Sequence, residues 1–140
     1  MTPEQRALRD SLAAVPDRLA AAIPVASPAP AGEWTPREVL LHLLAVEDEV
    51  WQSRLRQLAT EPEPHWPWFE PGLAAFEAES WEAVHKAFTG SRHETIAMLD
   101  ALDDAGWAKT GVHERLGRLD VAALLQRAID HDEEHIASFG

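Results

Sequence analysis

Apolar residues recur three and four positions apart along almost the whole chain, and alternation with a period of two is scarce. A chain patterned this way builds amphipathic helices, because an α-helix returns side chains three and four apart to one face. The first such stretch covers residues 3–23, with Leu8, Leu12, Val15, Leu19 and Ile23 on its stripe. Pro16 lacks an N–H and crowds the preceding turn, so a kink or break is predicted there. Residues 24–32, PVASPAPAG, read as a connector. Thr35, Pro36 and Glu38 then supply an N-cap, a first helical position and the closing residue of a capping box. The second helix is predicted over 36–59.

The proline-rich run TEPEPHWPW, residues 60–68, ends it, and 69–79 read as an irregular or short helical crossover. Ser80 caps a third helix over 81–102, carried by Trp81, Val84, Phe88, Ile96, Leu99 and Leu102, with Gly90 weakening its middle. Residues 103–118 are predicted as loop, and Asp120 caps a fourth helix over 121–139. Four long amphipathic helices in 140 residues imply an all-α fold. The expected architecture is a four-helix bundle with long crossover connections, in one domain over residues 1–140.

Composition removes several classes of function. The formal net charge is −12, with 12 Lys and Arg scattered among 24 acids. Nucleic acid and anionic membrane both call for a basic patch, so neither is an expected partner. No apolar run approaches about 18 residues, and the N-terminus lacks a signal-peptide pattern, so a cytoplasmic protein is expected. There is no cysteine. That excludes disulfides and a cysteine nucleophile, and leaves His with Asp or Glu as the ligands of any transition metal.

The chemistry concentrates in HDEEH near the C-terminus. His131 and His135 are four apart, so they stack on one helical face, half-turned toward the apolar stripe. Imidazoles at this spacing can share one ion, although a partly exposed helix end would explain the pair as well. The likeness to the zinc-protease motif HExxH fails at Asp132, which is one methylene too short to serve as the base on a ligated water. Asp132 projects into the apolar stripe, where a carboxylate needs a partner. It is expected to orient a metal-binding His or to pair with an Arg.

His42, among leucines on the second helix, is the candidate third ligand, against the alternative of a hydrogen-bonded core histidine. Glu47 and Arg54, seven apart, also fall within that helix's apolar arc. They form a buried pair, or one meets Asp132, or the arc is wide and both tips reach water, the reading favoured for Arg54. Glu47 and Glu49 are candidate proton acceptors. Trp51, Trp66 and Trp68 are candidate pocket walls, with Trp51 read first as core. His65, His85 and His93 look incidental, whereas His113, in the loop leading to the last helix, could close one end of a site.

Together, WTPREVLLHLLAVEDEVWQSRL and GVHERLGRLDVAALLQRAIDHDEEHIASF resemble the DinB-like superfamily of four-helix-bundle proteins, over most of the chain. The resemblance implies a divalent metal held by one His of the second helix and two of the fourth, here His42, His131 and His135. It also implies kinship with mycothiol-dependent maleylpyruvate isomerases and bacillithiol S-transferases, and with bundles that pair into homodimers. The expected function is therefore a metal-dependent transfer reaction on a small-molecule substrate, with the metal activating a low-molecular-weight thiol. The alternative is a non-catalytic, metal- or ligand-binding stress-response bundle. With no cysteine in the chain, any thiol must be a cosubstrate. The imidazole donors suit Zn, Ni or Fe without choosing among them.

Overall fold

The computed structural model describes residues 1–140. In chain order the elements are α1 (Pro3–Ala22), a 3-10 turn (Ile23–Val25), α2 (Pro36–Val46), a π segment (Glu47–Gln52), α3 (Ser53–Thr60) and β1 (His65–Trp66). There follow α4 (Trp81–Asp100), α5 (Asp104–Trp107), β2 (Thr110–His113), β3 (Gly117–Asp120) and α6 (Val121–Ala137). The bundle consists of α1, the continuous run from α2 through the π segment to α3, α4 and α6. α4 packs on both α1 and α2, and α6 packs on α1. No helix is long and apolar enough to cross a membrane.

The helix starts follow the capping chemistry. Thr35 Oγ1 accepts from Glu38 N at 3.3 Å, and Glu38 Oε1 accepts from Thr35 N at 3.1 Å. Thr2 and Gln5 form a second capping box at the start of α1. Asp120 caps α6 by accepting from Ala123 N at 2.8 Å. Of the kink or break predicted at Pro16, the break is absent, since α1 runs through it. Proline leaves the carbonyl four residues earlier, that of Leu12, without its helical donor. Arg92 Nη1 donates to that carbonyl at 2.9 Å, so the helix continues with its freed acceptor satisfied.

The stretch predicted as loop, residues 103–118, is instead the short α5 and a β-hairpin. β2 pairs antiparallel with β3, and β1 from the proline-rich segment adds in parallel on the other side of β2. Four-residue strands carry too few alternations to register as a period. Two glycines make this corner possible. Gly117 turns the hairpin at φ 78°. At Gly111, a Cβ would lie 2.4 Å from the Trp66 ring, so only glycine lets that indole pack flat on the sheet. The bundle is as expected, with a small three-stranded sheet added to it.

The buried apolar residues fall into two clusters. One holds Leu12, Val46, Val50, Ile96 and Ala128; the other holds Val15, Leu43, Val84, Phe88 and Phe139. On α4 and α6 the residue between the clusters is charged: Arg92 lies between Phe88 and Ile96, and Asp132 between Ala128 and Phe139. With Glu47 and the Leu12 carbonyl they form a buried charged layer.

Candidate metal centre

That layer is an ion-pair set in which all three side chains are about 1% exposed. Arg92 donates from Nε and Nη2 to Glu47 at 2.9 and 2.8 Å, and from Nη1 and Nη2 to Asp132 at 2.9 and 3.3 Å. With the bond to the Leu12 carbonyl, all five guanidinium donors are used. Thr95 Oγ1 donates to Glu47 at 2.6 Å, and Gln52 donates to Thr95 at 3.1 Å. Burial works against the Arg92 charge, but Glu47 and Asp132 outweigh it and raise its pKa. Burial pushes the Asp132 carboxyl up to about 6, against the pull of the guanidinium.

Asp132 thus pairs with an arginine, one of the two roles expected of it. The partner of Glu47 is Arg92 and not Arg54. Arg92 escaped selection from the sequence although its spacing, four after Phe88 and four before Ile96, places it squarely in the stripe of α4. Glu47 accepts three hydrogen bonds within this layer and lines neither cavity described below, so it is not placed as a proton acceptor. Glu49 is exposed on the far side and lines neither cavity described below.

Fixing Asp132 fixes the rotation of α6, and His131 is its neighbour. His131 Nε2 lies 3.3 Å from His42 Nε2 and 3.3 Å from His135 Nε2. The donor atoms of all three rings lie within 4.8 Å of one another. His42 is 2% exposed, and its Nδ1 meets the Gly72 carbonyl at 3.2 Å, which makes Nδ1 the protonated nitrogen and turns the Nε2 lone pair toward the other rings. The crossover segment is held in place to do this, since Ala74 N donates to Leu41 O at 3.1 Å. Trp34 lies over His42 with ring centroids 4.7 Å apart, and Trp51 meets His131 edge-on at 6.4 Å. Burial, then the neighbouring imidazoles, hold the His131 pKa down to about 4; burial lowers that of His135 as well. Both rings are therefore neutral at pH 7, the form that ligates metals.

The donor set fits a metal ion. Nitrogens each 2.0–2.1 Å from one ion at a tetrahedral angle sit about 3.3–3.4 Å apart, the spacing found here between His131 and each partner. With His131 Nε2 as ligand the ring's proton sits on Nδ1, which is buried without a hydrogen-bond partner.

Cavities open on both sides of the three rings. One, about 560 Å³, borders His135 and runs between the 24–34 connector and the C-terminus. The other, about 240 Å³, borders His131 and is walled by Val50, Trp51, Trp68 and Leu119. His113 lines this second cavity, its Nδ1 accepting from Arg115 N and Leu116 N at 3.1 and 3.2 Å, so the expectation that it closes one end of a site holds. Trp68 lines it too, whereas Trp66 is buried behind it and Trp51 is both core and wall. Arg54 is 9% exposed, and its nitrogens are not sealed from solvent. It faces this cavity, with its guanidinium 5.3 Å from the Trp66 ring centroid. His65 and His93 are exposed and away from the site; His85 donates from Nε2 to the Pro16 carbonyl at 2.7 Å.

Fold and site together define a four-helix bundle with three converging imidazoles on two of its helices. The chain belongs to the DinB superfamily, whose family model matches residues 2–138. Among solved structures it is similar to YfiT from Bacillus subtilis, a probable metal-dependent hydrolase with an unusual four-helix bundle topology. The two share 19% identity at a TM-score of 0.76, over 99% of this chain and 86% of that one. At that identity the likeness speaks for the fold. No curated protein matches the chain.

Proposed function

We propose that the protein is an enzyme dependent on a divalent transition metal, held by His42, His131 and His135, that acts on a small molecule. The observation that carries this reading is the convergence of three Nε2 atoms at ligand spacing. A bound ion would supply Lewis acidity, drawing the pKa of a ligated water or thiol toward neutrality. The chain's own residues do the rest. Gly72 orients His42, and Asp132, locked by Arg92, sets the rotation that presents His131 and His135. Trp34 and Trp51 limit the access of water to the rings. Glu70, Asp130 and Glu134 line the cavity beside His131 and are the carboxylates placed to take up a proton there.

The transformation we favour is S-transfer, in which a small thiol gives up its proton and its sulfur bonds to an electrophilic carbon, while the bond from that carbon to its leaving group breaks and the leaving group departs with the electron pair and takes up a proton. The family resemblance motivates this choice, and the two cavities flanking the rings give room for two reactants. Hydrolysis is the second reading, favoured by the description of YfiT. Elemental analysis of the purified protein tests the metal. About one ion per chain is expected, lost in His42→Ala, His131→Ala and His135→Ala alike. Full metal content in His42→Ala would overturn the ligand set. Incubation with an electrophile, with and without a small thiol, then separates the two reactions, since only S-transfer depends on the thiol.

A further inference from the structure

Arg54 has no use in that scheme, yet it is nine-tenths buried. No carboxylate lies within ion-pair distance of it, and no hydrogen bond reaches it; burial alone lowers its pKa, with no acid opposing. Its nitrogens are not sealed off but open to the cavity, so a largely covered charge with no acceptor in the chain is left available to a ligand. This one lines the 240 Å³ cavity that His131 also lines. Arg127, one helical turn before His131, lines the same cavity and makes no ion pair. His113 between them feels both charges, after the larger effect of its own burial.

The geometry points to Arg54, supported by Arg127, as the receptor for a carboxylate on the small molecule that approaches His131, so that the protein acts on a small carboxylic acid. The assignment rests on the proposed function for the word "acts", but the binding itself needs no metal. The planar guanidinium fork accommodates a carboxylate or a phosphate in two parallel hydrogen bonds. Carboxylate is favoured by its single charge. Glu70, Asp130 and Glu134 also line the cavity, and a doubly charged head group would meet more repulsion from them than a singly charged one. Seven of the 15 lining residues are apolar or aromatic, and the volume lies below the range of about 300–1,000 Å³ typical for drug-sized ligands. The body of the acid is therefore short and apolar.

The test is titration of the chelator-stripped protein, followed by tryptophan fluorescence, since Trp51 and Trp68 wall the cavity and Trp66 lies against Arg54. The probes are butanoate, benzoate, the uncharged butanamide and inorganic phosphate. We expect saturable binding of at least one carboxylate below about 10 mM, weakened about tenfold or more in Arg54→Gln and partly restored in Arg54→Lys, a loss of about 1.4 kcal/mol or more. Equal affinity for butanoate and butanamide, preference for phosphate, or undiminished carboxylate binding in Arg54→Gln would each overturn it. So would the absence of saturable binding by either acid. If Arg54→Gln fails to fold, Arg54→Lys and the butanamide comparison still decide. Metal content is measured on the same preparations as purified, before stripping. A wild type purified without metal whose titration shows carboxylate binding defeats the proposed function and leaves this site standing; one purified with metal whose stripped form is indifferent to carboxylates does the reverse.

Discussion

Arg92 and Arg54 are both buried, and their surroundings differ in every respect that matters. Arg92 meets two carboxylates and a carbonyl freed by proline, with an acceptor for each of its five donors. Arg54 meets an indole face and a cavity. The first lies in a closed polar layer that joins α1, the π segment, α4 and α6. The second belongs to an open region that shares a cavity with His131. A buried charge whose partners are all within the chain holds helices in place; one whose partners are not is available to a ligand. The two arrangements should respond to perturbation on different scales.

The largest effect is expected from opening the closed layer. Arg92→Leu strands two buried carboxylates and should cost about 3–5 kcal/mol, lowering the melting temperature by roughly 10–15 °C. Denaturant unfolding measures this, and a change under about 1 kcal/mol would mean that the layer contributes little. Chelation comes next. If the folded chain alone binds the ion, stripping a protein held at 100–1,000 times its Kd removes about 2.7–4.1 kcal/mol. Calorimetry with and without chelator gives the difference, and His131→Gln should show none.

Acidification of the stripped protein should reveal a smaller, differential effect. His131 is held down to about 4 in the folded chain against 6.5 when free, so the unfolded chain takes the proton first. The stability conferred by the neutral ring is complete above pH 6.5 and is lost as pH falls toward 4. Asp132, pushed up to about 6, acts in the opposite direction over part of that range. The comparison of wild type with His131→Gln isolates the imidazole, and the gap between their melting curves should close on acidification. The smallest effect is expected at Arg54. Arg54→Gln should shift stability by less than about 1 kcal/mol, because relief of an unpartnered charge offsets the lost contact with Trp66. A loss as large as that of Arg92→Leu would erase the contrast between the two arginines.

The helices and the three histidines were legible because both are local. A capping box at Thr35 and a spacing of four between His131 and His135 survive in one dimension. His42 was reachable because a polar ring among leucines violates the stripe around it. What was hidden is tertiary. Glu47 and Arg54, seven apart, would share a face in a regular α-helix, which suggested a pair. The π segment between them winds more widely, turning Glu47 to Arg92 and Arg54 to the cavity. α1 does not break at Pro16, because the missing donor is replaced from α4, 76 positions further along the chain. The hairpin was missed because four-residue strands and two glycines leave almost no periodic trace.

The wide winding between Glu47 and Gln52 makes this stretch sensitive to length rather than to composition. The wide turn already takes in one residue beyond ordinary α pitch, so a further residue inserted after Gln52 would swing everything downstream by about 100°. Arg54 would then leave the cavity while Glu47, upstream of the insertion, kept its grip on Arg92. A single insertion could in this way disarm the open region with no side chain of either region altered.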